Sequence, residues 1–213
     1  MYTEQTKKVE VTWNGFDEAD FTSMPSKLTH NTIFTIRYVG NLFASQQAPA
    51  FWSAIKKLIN EENAVLKIEF IGRVDESLKN YVVQNKLDTL VKFNDFVNHT
   101  QAIRLICEAN ALLLIVPNVP FNKLIVTGKI FEYLASENPI LAFGNTSGDA
   151  AQLLQLCERE PMCDYNDSET AFSQLKKHYY NFLHNRQTCY SDAYKQFSRK
   201  EQAKKMATLL ENL

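Results

Sequence analysis

The chain has 213 residues, 45% of them hydrophobic and 22% charged, with a formal net charge of −1. That length and composition suit one well-cored soluble domain, or a domain with a tail, needing neither disulfides nor metals. So small a net charge argues against nucleic acid or an anionic membrane as a partner chosen by bulk electrostatics.

The four cysteines (Cys107, Cys157, Cys163, Cys189) form no CxxC pair. With Cys107 and Cys157 expected on apolar helix faces, they read as reduced core residues of a cytoplasmic protein. The first residues, MYTEQTKKVEV, contain no apolar core of a signal peptide. The longest apolar run, 111–116, falls far short of the roughly 20 residues a membrane span needs. Peripheral membrane contact stays open. His30, His99, His178 and His184 show no HxxxH or HExxH spacing, so no metal site is expected.

In chain order, strand and helix alternate. IFTIRYVG (33–40) alternates, turns apolar and closes in Gly40. PAFWSAIKKLINEE (49–62) places Phe51, Ile55, Leu58 and Ile59 on one helical face. VLKIEFIG (65–72) is a second glycine-closed strand, followed by a helix over 75–87 with Asp75 as N-cap. A strand over 90–96 leads to a helix over 99–110, capped by Thr100. ALLLIVP (111–117) carries no polar residue, as suits a strand buried on both faces. Next come the loop NVPFNKLIV, a helix over 127–137, and strand 139–144, with Asn138 expected to supply a left-handed cap.

A helix over 148–159 follows, with Asp149 as its cap, then a short sixth strand in PMCDY (161–165). Two C-terminal helices end the chain. Phe172, Leu175, Tyr179, Phe182 and Leu183 stripe the first. Phe197, Met206, Leu209, Leu210 and Leu213 mark the apolar side of the second. Its Lys- and Arg-rich opposite side reads as a solvated surface.

Such alternation predicts βαβ units: an α/β, Rossmann-like, doubly wound parallel sheet of about six strands with helices on both faces. In such sheets ligands bind outside the carboxyl ends of the strands. That edge carries Gly40-Asn41, Gly72-Arg73, Asp95-Phe96, Pro117-Asn118 and Gly144-Asn145. No G-x-G-x-x-G or G-x-x-x-x-G-K run is present. Gly40 and Gly72 fit a close backbone approach to a ligand or an ordinary βα turn. The helix start at Thr127 fits an anion, with Gly128 leaving room and Lys129 adding a mobile charge. Glu132, one turn in, fits an acceptor for a pair of sugar hydroxyls. The competing reading of Lys129 and Glu132 is a surface ion pair. Phe96 fits a base-stacking ring or a plug for the sheet edge.

Taken together, these segments resemble the C-terminal, donor-binding half of GT-B glycosyltransferases of the large retaining family four. VTWNGFDEADF (11–21) is similar to that family's N-G-[VF]-D linker segment, and IRYVGNL (36–42) to its Y-x-G-x-L strand. VKFNDFVNHTQAIRLICEANALLLIVP (91–117) resembles its base-pocket strand, helix and following strand. TGKIFEYLASENPILAFG (127–144) resembles its K-[IL]-x-E-Y-[LM]-A-x-G-x-P-[IV] box, the most specific of these. GDAAQLL resembles the helix that comes next in one bacterial branch.

The resemblance implies a UDP-, GDP- or ADP-linked sugar as substrate, with no cofactor and no required metal. Glu132 would hold the ribose hydroxyls, and Thr127, Gly128 and Lys129 would sit by the pyrophosphate. Gly40 and Asn41 would form the loop under the phosphates, Phe96 would lie beside the base, and Arg73 would belong to the same donor site. It further implies a partner: an N-terminal Rossmann-like domain of the same enzyme that holds the acceptor and carries the catalytic residues. On that basis residues 1–30 are an interdomain linker and 31–190 the nucleotide-sugar-binding domain. Residues 191–213 form a helix packed on this domain or towards the other half, and the isolated half would be inactive. The full enzyme would be cytoplasmic, with contact at the inner membrane face left open.

Three positions depart from the family pattern. Leu124 stands where an E-x7-E signature has its first glutamate. Uncharged Gln46 and Gln47 replace a basic residue after the first strand. Glu137-Asn138 replaces the glycine of the box. The first two favour a rival expectation, a non-catalytic nucleotide- or protein-binding module. A receiver domain is disfavoured because the first strand ends without clustered acids. A flavodoxin-like domain is disfavoured because NLFASQQAP is no Ser/Thr/Gly phosphate loop.

Overall fold

The structure, a computed structural model, describes residues 10–22 and 32–211. The rest of the expected linker, His30 and Leu213 lie outside the described residues. Five strands form one all-parallel sheet: β1 (Phe34–Val39), β2 (Leu66–Ile71), β3 (Val91–Asn94), β4 (Ala111–Ile115) and β5 (Ile140–Phe143), in the order β3-β2-β1-β4-β5. The α/β, Rossmann-like expectation is met with one strand fewer. The PMCDY segment contributes only an isolated bridge, Cys163 to Phe143. Pro161 lacks an N–H donor and lies just before this bridge, so the segment ends as an edge fringe.

The connecting helices are α1 (Ala19–Thr22), α2 (Pro49–Glu62), α3 (Glu76–Gln84), α4 (His99–Cys107), α5 (Lys129–Ala135), α6 (Asp149–Leu156), α7 (Ser168–Leu183) and α8 (Arg199–Glu211). α2, α3 and α7 cover one face of the sheet, where Phe34, Ile36, Phe51, Ile55, Leu58 and Phe70 are buried. α4, α5, α6 and residues 13–21 cover the other, over Ile103, Ile106, Leu112, Leu114, Ile130 and Leu134. Both faces of β1 and β4 are therefore buried, and their apolar runs follow from that. Each such side chain contributes roughly 1.5–3 kcal/mol when fully buried.

Arg37 interrupts the run on β1. Its Nε donates to Glu69 Oε2 of β2 at 2.7 Å, and its Nη1 donates to the Leu105 carbonyl at 2.8 Å. The register places Arg37 directly beside Glu69, so the buried charge is matched across the ladder.

Helix ends correct four local expectations. α4 is capped by Asn98, whose side chain accepts from the Gln101 N–H at 2.9 Å, in place of Thr100. Gly148 occupies the cap of α6 and Asp149 its first turn. Glu137, at φ 56°, is the left-handed residue after α5. Asn138 is buried instead, donating to the carbonyls of Ile106 and Cys107 at 2.8 and 3.0 Å and tying α4 to the α5–β5 turn. The last stripe also divides: Phe197 is buried ahead of α8, while Met206 and Leu210 face outward. Asp75 caps α3 as expected, accepting from Ser77 N–H at 2.9 Å.

The segment 10–22 is fastened to the C-terminal region. Phe16 N–H donates to the Phe197 carbonyl (3.2 Å) and Arg199 N–H to the Phe16 carbonyl (2.8 Å). Gly15, at φ 65°, passes so close that a Cβ would stand 2.3 Å from the Phe197 oxygen. Trp13 packs its ring on Phe131 of α5 and on Phe197.

Candidate functional site

The strand order reverses between β1 and β4, so the crevice for a ligand lies outside their carboxyl ends. Four elements meet there. β1 ends in Tyr38-Val39-Gly40, and Gly40 and Gly72 both adopt φ 118°, a conformation open to glycine but strained for other residues. A Cβ at Gly72 would stand 2.8 Å from the Gly40 carbonyl oxygen, so the two βα turns touch. A Cβ at Gly40 would meet the Lys129 ammonium at 3.2 Å.

Lys129, the first residue of α5, turns back over the sheet edge. Its Nζ donates to the Tyr38 hydroxyl at 2.5 Å and lies 3.8 Å from the centre of that ring. The expected alternative, an ion pair with Glu132, does not form. Burial pulls the Lys129 ammonium down to about 7, with the Glu132 carboxylate opposing the shift.

The floor beneath it is polar and fully engaged. Tyr38 Oη donates to the Asn41 carbonyl at 2.8 Å and accepts from Gln46 Nε2 at 3.2 Å. Gln46 also donates to the Ile115 carbonyl at 2.7 Å, bridging the ends of β1 and β4. The absence of a basic residue in this loop thus has a positive counterpart: Gln46 is buried as a brace. Behind it, Tyr133 Oη accepts from the Val39 N–H at 3.0 Å, locking α5 to β1.

Glu132 lies one turn along α5, half-buried, and no hydrogen bond or ion pair reaches its carboxylate from a described residue. Burial raises its affinity for a proton; His99, Arg199 and Lys129 lower it and Asp20 raises it. Thr127 Oγ1 is likewise buried without a partner among the described residues. A carboxylate and a hydroxyl without partners among the described residues, with an ammonium that has only the Tyr38 ring and hydroxyl against it, are groups that would suit a ligand carrying both hydroxyls and an anionic group.

Of the predicted positions, Gly40, Thr127, Gly128, Lys129 and Glu132 therefore gather at the β1/α5 corner, with Asn41 contributing its carbonyl. Arg73 and Phe96 form a second group. Both are exposed, Phe96 at 81%, and they line a shallow depression with Phe93 and Asp95 that meets the first group at Gly72. Leu124, at 72% exposed, projects from the loop after β4 together with Phe121.

Tyr38, Tyr133 and Asp20 were not singled out in the sequence, and Gln46 and His99 were noted there only for what they lack. The Tyr38 signal was present, a tyrosine two residues before a strand-ending glycine. Gln46 carries no local signal, since its partners lie on β1 and β4.

A cavity of about 140 Å³ at the opposite, amino-terminal edge, beside His178 and Asn138, is reached by none of these residues. Among the described residues no cluster of His, Cys, Asp and Glu could hold a metal ion, and no helix is long and apolar enough to cross a membrane. None of Cys107, Cys157, Cys163 and Cys189 forms a disulfide; Cys157 and Cys163 are core residues as expected, whereas Cys107 is half-buried and Cys189 exposed.

No protein-family model matches the chain, and no curated protein matches it either. Solved structures do. A pneumococcal O-GlcNAc transferase, GtfA, in complex with UDP and GlcNAc, aligns with TM-score 0.64 at 12% identity, over 93% of this chain and 38% of that one. Sucrose-phosphate synthase from Thermosynechococcus elongatus aligns with TM-score 0.65 at 14% identity, over 93% and 49%. The lipopolysaccharide outer core galactosyltransferase WaaB, in its apo form, aligns with TM-score 0.62 at 12% identity, over 96% and 56%. The chain thus spans between 38% and 56% of the length of these structures. At such identities the likeness is one of fold: a Rossmann-like half of a GT-B glycosyltransferase.

Proposed function

We propose that this domain binds a nucleotide-diphospho-sugar donor and serves as the donor half of a retaining, family-four-like hexosyltransferase. One observation carries the reading: Lys129 lies over Tyr38 beside Gly40, with the Glu132 carboxylate, unpartnered among the described residues, one turn away. A diphosphate fits the Lys129 end, where backbone at Gly40 leaves room for it. The ribose diol fits Glu132, and Arg73 and Phe96 lie towards the base.

The chemical contribution follows from charge. As the glycosyl bond breaks, negative charge grows on the departing diphosphate, and a preorganised ammonium stabilises it most at that moment. Burial lowers the proton affinity of Lys129 without ligand, and an arriving anion would favour its cationic form. No metal enters this scheme. The acceptor, a glycan or lipid-linked sugar of polysaccharide assembly, would be held by a second, N-terminal domain that also carries the catalytic groups. The enzyme would work in the cytoplasm, at or near the inner membrane face.

Calorimetry against UDP-, GDP- and ADP-sugars, repeated with Glu132→Ala, tests this. Binding of one nucleotide class that collapses in the variant supports the reading; no binding even at millimolar concentration (about −4 kcal/mol) refutes it. Exposed Leu124 and inward-turned Gln46 favour a second reading, a GT-B-like module that binds a nucleotide or protein without catalysis. Binding of nucleotide without any contribution from the sugar would select it.

A further inference from the structure

A tyrosine hydroxyl has one proton to give and two lone pairs to offer, and at Tyr38 the fold uses all three. The proton goes to the Asn41 carbonyl at 2.8 Å, and the oxygen accepts from Gln46 Nε2 at 3.2 Å and from Lys129 Nζ at 2.5 Å. Chemistry fixes the direction of these bonds. Gln46 Nε2 also donates to the Ile115 carbonyl at 2.7 Å, and its Oε1 accepts from the Phe43 N–H at 3.1 Å. Turned over, the amide would set oxygen against a carbonyl and NH2 against an N–H. Gln46 is therefore a donor to Tyr38, which leaves the second lone pair for Lys129.

The frame around this hydroxyl is well tied. Tyr38 is fully buried on β1, and the loop carrying Gln46 is stitched to the loop after β4 by a further bond, Asn118 N–H to the Ser45 carbonyl at 2.7 Å. Lys129 reaches it on a flexible four-carbon stem, whose freedom is costly to lose. Tyr38 takes one of the three ammonium N–H bonds, and the other two have no hydrogen-bond partner among the described residues.

We propose that Tyr38, oriented by Gln46, is a positioning residue for Lys129: it seats the ammonium at the end of β1 and leaves two N–H bonds for the diphosphate. This deepens the donor-site reading and rests on Lys129 meeting the diphosphate. Tyr38 acts through Lys129 and not on the ligand. With the ammonium already seated, less side-chain freedom is lost when the anion binds. Burial also holds the Tyr38 phenol well above the ordinary tyrosine range, against the smaller opposing effect of Gln46. The hydroxyl thus stays neutral and does not become an ion partner that rivals the ligand.

The test is calorimetry of the full chain against inorganic pyrophosphate, in a double-mutant cycle of Tyr38→Phe and Lys129→Met. Tyr38→Phe keeps the aromatic face and removes only the hydroxyl. It is expected to weaken pyrophosphate binding roughly three- to tenfold when Lys129 is present, and to change it less than about twofold in Lys129→Met. Gln46→Met should weaken it in the same direction by less. Proton NMR of the ligand-free chain follows the Lys129 ε-methylene, which the Tyr38 ring beneath the ammonium displaces from the position of an exposed lysine. In Tyr38→Phe that resonance is expected to relax towards the exposed position.

Equal losses with and without Lys129 overturn the proposal, because the hydroxyl then acts apart from the lysine. Tighter binding in Tyr38→Phe overturns it as well, making the hydroxyl a competitor for the ammonium. So does an unmoved ε-methylene, since the ring alone then holds the side chain. Unchanged affinity in Gln46→Met overturns the part given to Gln46. If pyrophosphate binds no form of the chain while the ε-methylene relaxes as expected, the donor reading fails and the seating of Lys129 by Tyr38 stands.

Discussion

The Lys129 ammonium sits 3.8 Å from the centre of the Tyr38 ring and donates to its hydroxyl at 2.5 Å. A half-buried cation with an aromatic face and a neutral oxygen for company is a costly arrangement in a ligand-free fold. Functional sites keep such groups at the expense of stability.

Lys129→Met should accordingly stabilise the chain near neutral pH, by on the order of 1–3 kcal/mol, while reducing affinity for nucleoside diphosphates at least about tenfold. The pH dependence has a definite sign. The folded-state value is about 7 against 10.5 unfolded, so between them the unfolded chain holds a proton the folded chain has released. Stability from this group therefore rises with pH across that window. Denaturant titrations at several pH values should show the rise in the native chain and not in Lys129→Met.

Glu132→Ala should separate the two ends of the ligand. Loss of charge-assisted hydrogen bonds to a diol predicts roughly 10- to 100-fold weaker nucleotide binding. Inorganic pyrophosphate, which has no hydroxyl pair, should bind the variant as it binds the native chain. Stability should hold or rise slightly, because burial disfavours this carboxylate in the ligand-free state. Equal losses for both ligands would remove Glu132 from the ribose.

The Arg37–Glu69 pair offers a stability test away from the site. Glu69→Leu leaves the buried guanidinium with the Leu105 carbonyl and Glu108 at 3.7 Å as partners. A cost of about 3–5 kcal/mol is expected, as for other broken buried pairs. Replacing Arg37 by Met in the same chain should recover much of it. Urea denaturation of the two single variants and the double variant measures the coupling.

His178 sets an acid limit. Its side chain is fully buried on α7, burial lowers its affinity for a proton, and Glu160 at 3.5 Å only partly opposes this. Below the unfolded value of 6.5, the unfolded chain takes up a proton that the folded chain resists. Stability should fall as pH drops through and below that value. His178→Gln should flatten the decline, read as the change of Tm with pH; an unchanged slope would assign the acid sensitivity elsewhere.

Much of the fold was legible before any coordinates. The all-apolar stretch Ala111–Ile115 can be satisfied only by burial on both faces, and the glycines after β1 and β2 mark turns no other residue makes cheaply. The same local rules failed where a segment lacks partners. PMCDY has strand composition but a proline at its start, and so earns a single bridge.

At the site, chain order placed Lys129 and Glu132 on one helix turn, and spacing alone suited a surface ion pair as well as a ligand contact. What surrounds each of them was decided by neighbours distant in sequence. Tyr38 draws the ammonium inward across 91 residues, Gln46 braces the floor from a loop with no motif, and Asp20 reaches His99 over 79. Periodicity is a property of neighbouring residues, so it reports which face is buried. Charge, hydrogen-bond satisfaction and the state of a carboxylate depend on what the folded chain brings alongside, and those partners come from every part of the sheet edge.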